Sequence, residues 1–251
     1  MNSLPEHNER KNIFVIFLTF LFVYVVLFEF ILPVNKILPK PTLLYESYIS
    51  LWFDYNLLFA AAVTTTVVYF ALIIGYLFIT FFSMGIVKLM IEAPGLFNAP
   101  RIFRYFSPFF FALLFVYWFD DSFLAEMVFG FLIAFYAFGL ALYKSIPAIK
   151  IEYVDFAKSL GAGKNKIYSH IVWKSCQPSL FGEMKKLHYS LWLFILTYEF
   201  IAQTAVGGIY RTALQYNDLA AIFALGIMVC ILILFGNFVI GFLKKKIIYW
   251  E

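Results

Sequence analysis

Long apolar runs separated by short polar stretches dominate this chain. Six of them stand out, at about residues 13–34, 57–80, 105–119, 123–143, 188–206 and 219–242. A helix needs roughly 20 mostly apolar residues to cross the hydrocarbon core of a bilayer, so the pattern predicts an all-α, polytopic membrane protein with six transmembrane helices. The third run is the shortest and contains Pro108, which a membrane helix tolerates when neighbours satisfy the freed carbonyl. The first run follows Glu9, Arg10 and Lys11. Its apolar part exceeds the roughly 7–15 residues of a secretion-signal core, and no small-residue cleavage pattern follows it; it reads as a retained anchor helix.

The pattern changes between residues 144 and 186. Ile151, Val154, Ala157 and Leu160 recur at a spacing of three, a helical stripe. Gly161 is placed to end that helix, because glycine adopts the left-handed conformation at little cost. A second helix is predicted from about 164 to 176, with Ile167, Ile171 and Val172 on one side, and Pro178 is predicted to break it before the chain returns to the membrane. Helices at or below about 12–15 residues are marginal alone, and a long ordered loop in a compact protein is usually functional. The expected task of this one is docking onto another protein.

Composition and charge fix the setting. Apolar and aromatic residues make up 63% of the 251 and charged residues only 14%, too greasy for a soluble domain, where about 25% are charged. With six helices and the amino end inside, 16 of the 19 lysines and arginines fall in inner segments and only Lys36, Lys40 and Arg211 outside. Cytoplasmic loops carry such an excess, so both termini are expected in the cytoplasm. Asp120 and Asp121 then lie in an outer turn, and Trp52, Tyr117, Trp118 and Trp250 suit the interfacial belts. The net charge of +4 faces acidic lipid and gives no reason to expect nucleic acid. Cys176 and Cys230 give no disulfide signal, and His7, His170 and His188 show no metal-ligand spacing.

The stretch "SLGAGKNK" at 159–166 invites comparison with a phosphate-binding loop. Such a loop reads G-x-x-x-x-G-K-[ST] after a buried strand. Aligning Gly163 and Lys164 to it puts Lys158 at the first glycine and Asn165 at the magnesium-binding hydroxyl, and the preceding segment is helical in pattern. No nucleotide site, catalytic cluster or cofactor is expected in this chain.

The stretch "YVDFAKSLGAGKNKIYSHIVWKSCQPSL" resembles the EAA loop of permease subunits of bacterial ABC importers. Asp155 takes the acidic place, Phe156 and Ala157 the two small places, Gly161 the glycine and Pro178 the distal proline. Ala162 follows the glycine in the same elbow. "YEFIAQTAVGGIY" is similar to the family's fifth core helix and glycine-rich turn, with Glu199 and Gly207–Gly208 in place, and 57–85 is similar to its opening core helix. The resemblance spans roughly 55–245 and is closest to the nitrate, sulfonate and taurine branch, which also holds permeases for vitamins and their precursors. Phe156 for alanine, Asp155 for glutamate and Lys174 for a second proline depart from the pattern. Phe156 and Lys174 imply a correspondingly altered cleft on the partner ATPase.

The resemblance implies a type I ABC importer permease fold in a bacterial inner membrane. It divides the chain into an N-terminal segment (1–54), a permease core (55–245) with the coupling loop at 150–180, and a short tail (246–251). It implies a second permease subunit, identical or related, an external solute-binding protein, and two cytoplasmic ATPase subunits that bind ATP and magnesium.

From the residues alone, Glu199 is costly within a span. Asp, Lys or Arg at a span centre costs about 2.5–3.5 kcal/mol on the insertion scale. It should face the bundle interior or a water-filled path, and functional and structural readings stay even. Gln203, one turn on, is expected on the same face. Thr64, Thr65 and Thr66 are expected chiefly to bond to their own backbone, and Glu29 to reach toward headgroups. An ATP-independent secondary transporter or channel remains the alternative; it predicts mid-membrane charges and broken helices. A membrane enzyme would need a reactive cluster, and the sequence offers none.

Overall fold

The computed structural model describes residues 6–32, 38–93, 107–119 and 123–247. Lys36, Arg101, Arg104, Asp120, Asp121 and Trp250, on which part of the charge and belt expectations rests, lie outside these residues. Every regular element among the described residues is helical. The chain divides into two units, Met1–Leu57 with Thr212–Met228, and Leu58–Arg211 with Val229–Glu251.

In the first unit, α1 (Glu6–Val25) continues as a π-helical stretch, Val26–Ile31, and α2 spans Pro41–Phe53. Pro41 sits in the first turn of α2, with Lys40 as cap, a position where proline's missing N–H is no loss. Glu29 is anchored there too: its carboxylate accepts hydrogen bonds from the Thr42 hydroxyl at 3.0 Å and the Thr42 backbone N–H at 3.3 Å. A negative group at a helix N-terminus is favoured by the aligned peptide dipoles. This tie, and a Tyr24 hydroxyl donating to the Pro39 carbonyl at 2.5 Å, join the end of the first helix to the start of α2.

The second unit is built on α3 (Leu57–Phe81), α4 (Ser83–Glu92), α5 (Pro108–Trp118), α6 (Phe123–Ser145), α7 (Ile151–Ser159), α8 (Lys164–Lys166) and α9 (Trp173–Ala202). Helices α10 (Ala205–Gln215) and α11 (Leu219–Ile247) follow, their residues divided between the units. Helix α9 is the axis, packed chiefly on α6 and α5, and Leu191, Trp192, Ile195 and Tyr198 are buried along it. Small residues allow the close approach: a Cβ at Gly75 would sit 2.8 Å from Ala134 Cβ, and one at Gly130 would sit 3.0 Å from Ala71 Cβ and 3.1 Å from Ile195 Cδ1. Membrane helices associate through such small-residue contacts because lipid offers no hydrophobic drive between them.

Among the described residues, three helices are long and apolar enough to cross a membrane: Leu57–Phe81, Phe123–Ala148 and Leu219–Lys246. A fourth span is available if Lys164–Ala202 and Ala205–Gln215, bent by 60°, act as one broken span. Val15–Ile31 and Phe109–Trp118 are shorter apolar helices. The 11 residues of α5 rise about 17 Å, little more than half of a roughly 30 Å hydrocarbon core. Pro108 does not interrupt this helix but opens it, behind a Ser107 cap whose side chain accepts from Phe109 N–H at 3.2 Å.

Pro178 also departs from expectation. It lies inside α9 and does not end the helix near 176. Helix α8, a π-helical stretch (Ile167–Val172) and α9 run on continuously from Lys164 to Ala202. Proline costs this helix one hydrogen bond, but Trp173, Cys176, Leu180 and Phe181 are all buried around it, and that packing holds the helical course through the proline.

Candidate functional site

Two places collect the residues singled out by the sequence. The first is the elbow between α7 and α8. Helix α7 ends with the Gly161 N–H donating to the Lys158 carbonyl at 2.9 Å and the Ala162 N–H donating to the Ala157 carbonyl at 3.0 Å. This crossed pair is the Schellman ending, which needs a left-handed residue after the cap; Gly161 supplies it with φ +77°. Nothing lies within 4 Å of a Cβ added there, so the demand for glycine comes from backbone conformation alone.

Helix α7 packs on the π-helical stretch through its small residue. Ala157 is buried, as are Ile167 and Val172 of that stretch. By contrast, Tyr153, Phe156 and Leu160 are 54%, 66% and 71% exposed, and their i, i+3, i+7 spacing puts them on one face. Three large apolar side chains on one short helical face are thus left exposed among the described residues. Asp155 is exposed and pairs with Lys158 at 3.1 Å. Thus Asp155, Phe156, Ala157, Gly161 and Ala162 form one structural elbow, while Pro178 lies apart from it in α9.

The second place surrounds Glu199, on α9 and fully buried. Its Oε1 accepts from the Thr64 hydroxyl of α3 at 2.6 Å, and its Oε2 accepts from the Gly207 N–H of α10 at 2.8 Å. Thr64 is also 3.1 Å from its own Ala60 carbonyl. The expected backbone bond is therefore present, but the single hydroxyl proton has two acceptors to choose between. Glu126, from the first turn of α6, is 2% exposed and brings its carboxyl against that of Glu199. The sequence reading passed over Glu126, although an acid inside the apolar run 123–143 carries the same cost signal as Glu199.

Gln203 does not share the face of Glu199. It lies just past the end of α9 in the left-handed conformation, with φ 62°, and is exposed; helical register stops before it. Nor do Gly207 and Gly208 form the turn. They occupy the first turn of α10, where a Cβ on Gly207 would overlap Glu199 Cβ and Phe200 N, and one on Gly208 would sit 2.6 Å from the Gln203 carbonyl. Their absent side chains let α10 fold back over the end of α9. Arg211 completes the arrangement by donating to the Ile201 carbonyl at 3.0 Å and the Phe200 carbonyl at 3.4 Å, satisfying acceptors that a helix end leaves open.

A third polar node lies nearer the other end of α9. The Trp192 Nε1–H donates to His188 Nε2 at 3.0 Å, and His188 Nδ1 is 3.2 Å from Asn237 Oδ1 on α11. Indole is only a donor, so Nε2 is the acceptor and Nδ1 carries the hydrogen. Tyr69 stacks on the imidazole at 5.5 Å, and a Cβ on Gly236 would overlap both the Tyr69 hydroxyl and the His188 ring.

The elbow leaves an apolar face exposed, and the Glu199 site joins α3, α9 and α10 by buried hydrogen bonds. No curated protein and no solved structure matches the chain. Residues 100–249 match the family described as binding-protein-dependent transport system inner membrane component. That stretch holds both the elbow and Glu199 and exceeds half of the 251 residues, so the chain belongs to the family of binding-protein-dependent transport system inner membrane components, the permease subunits of such transporters.

Proposed function

We propose that this chain is the transmembrane permease subunit of an ATP-driven importer for a small solute, working in a bacterial inner membrane. In this reading it crosses the membrane six times, with both ends in the cytoplasm and a core at 55–245. It pairs with an identical or related permease, receives solute from an external binding protein, and is driven by two ATPase subunits that hold the ATP and magnesium. Solutes of the sulfonate, taurine and nitrate kind, or vitamins and their precursors, are the substrate classes that the sequence resemblance favours.

The single observation that carries this reading is the uncovered apolar face of α7. Tyr153, Phe156 and Leu160 offer a compact aromatic and aliphatic anchor, the kind that dominates interface energies when it enters a partner's pocket. The Schellman turn fixes the angle of α7, and the π-helical stretch beneath it leads directly into α9. From Lys164 to Ala202 the helix extends about 58 Å at 1.5 Å per residue, so a push on the elbow reaches Glu199 through one continuous rod.

The test is co-purification. Gly161→Asp, or deletion of 155–163, is expected to abolish ATPase association and transport while membrane insertion persists. A deletion variant that still held its ATPase stoichiometrically would remove the docking role. Glu199→Gln is expected to alter transport more than protein level; unchanged uptake with a reduced level would make Glu199 structural.

An ATP-independent secondary transporter or channel is the second reading. Two observations favour it: buried carboxyls at Glu126 and Glu199, and the 60° break between α9 and α10, both features of transporters with discontinuous helices. Uptake that persists after ATP is exhausted, with ion gradients kept, would select it.

A further inference from the structure

We propose that Arg211 is a positioning residue for the Glu199 site: together with Glu199 it caps the break between α9 and α10 from both sides and holds a strained corner bent.

The two caps are reciprocal. Glu199, in the last turn of α9, reaches forward, and its Oε2 accepts from the Gly207 N–H in the first turn of α10 at 2.8 Å. Arg211, in α10, reaches back, and its Nη1 donates to the Ile201 and Phe200 carbonyls in the last turn of α9 at 3.0 Å and 3.4 Å. Each half-helix satisfies backbone groups that the other leaves open at its end. The two meet at a bend of 60°.

The linker between the caps does not favour this course by itself. Gln203 has φ 62° and Ala205 φ 43°. Both carry a Cβ, which in the left-handed region crowds the following carbonyl oxygen. The Thr204 hydroxyl oxygen between them is buried without a hydrogen-bond partner among the described residues. Returned to right-handed values, residues 203–205 would continue α9 straight into α10. Left-handed backbone without glycine persists only where its surroundings over-determine it, and the side chains that do so here are the two caps. Glu199 is also held by Thr64 of α3, whereas both hydrogen bonds of Arg211 go to the corner. The corner is therefore a sprung hinge. It keeps Glu199 against α10 while Arg211 is engaged, and straightens when Arg211 lets go. This does not depend on whether ATP drives transport.

The experiment is hydrogen–deuterium exchange, read by mass spectrometry, on the purified full-length chain in lipid nanodiscs. Arg211→Met keeps an unbranched side chain but removes the donors. The amides of 203–208 are expected to exchange about tenfold faster in it, the effect of losing a hydrogen bond from a charged group, while 176–190 keeps its wild-type rate. Glycine accepts the left-handed backbone at little cost, so Gln203→Gly with Ala205→Gly should raise the melting temperature and, added to Arg211→Met, bring exchange back to within about twofold of wild type. An arginine that only packed would not be rescued by glycines in the linker. Wild-type exchange in Arg211→Met, or still faster exchange when the glycines are added to it, would overturn the proposal. If Arg211→Met is not recovered folded, the glycine pair alone decides: a melting temperature above wild type supports the strained corner, and one at or below wild type overturns it.

Discussion

The elbow and the Glu199 site lie along one helical rod but are built on opposite plans. At the elbow the backbone is tightly specified, by the Schellman turn at Gly161 and by Ala157 against the π-helical stretch, while the side chains of Tyr153, Phe156 and Leu160 touch little of their own chain. At Glu199 the side chain itself is specified, with donors from α3 and α10 and a second carboxyl from α6. The contrast separates two kinds of importance. Substitutions at the elbow should change what the protein binds without changing whether it folds. Substitutions of Thr64 and Gly207, the buried neighbours of Glu199, should change folding and helix geometry first.

The largest expected effect breaks the elbow. Phe156→Asp combined with Leu160→Asp removes two anchors from an exposed face, each worth about 2 kcal/mol if it is an interface hot spot. ATPase affinity should fall about a thousandfold, while the melting temperature stays unchanged, because both side chains are exposed in the free chain. A large drop in melting temperature would mean that these residues pack within the permease after all.

Next comes Gly207→Val. Its Cβ would collide with the Glu199 side chain and the Phe200 backbone, an overpacking that cannot be relieved by turning a side chain. A destabilisation of about 3 kcal/mol is expected, visible as loss of monodisperse protein in size-exclusion chromatography. Gly161→Val, by contrast, meets open space and should cost only the left-handed backbone, about 1–2 kcal/mol.

A smaller effect is expected for Thr64→Val, which keeps the shape but takes a donor from Glu199. Leaving a buried acceptor unsatisfied costs about 1–3 kcal/mol, so the melting temperature should fall, and fall further when Gly207 N–H is also displaced. The smallest effect is Asp155→Asn. The Asp155–Lys158 pair is exposed, and such pairs contribute about 0–1 kcal/mol; stability should be indistinguishable from wild type, and any loss of ATPase binding would then be assigned to the interface.

Much of this was legible in the sequence. The helical stripe at 151–160, its termination at Gly161 and the burial of Glu199 follow from local rules of periodicity, left-handed backbone and the cost of charge in lipid. The misreadings share one cause. Local propensity places Pro108 as a tolerated proline inside a span, Pro178 at a break and Gly207–Gly208 in a turn. The structure uses them as a helix start, a tolerated helix interior and a close helix crossing, each decided by neighbours distant in sequence. Gln203 was placed by helical spacing, which fails once the helix ends one residue earlier.

What the sequence determined by itself was the solvent and the local backbone. Uninterrupted apolar runs demand a bilayer, and a glycine at the right place ends a helix whatever surrounds it. What only the tertiary structure decided was partnership. Glu126 and Glu199 are 73 positions apart, and Thr64 lies 135 positions before Glu199. Hydrogen bonds that depend on which faces of α3, α6, α9 and α10 meet carry no signature along the chain, because helix packing, not sequence distance, sets which polar groups share a buried space.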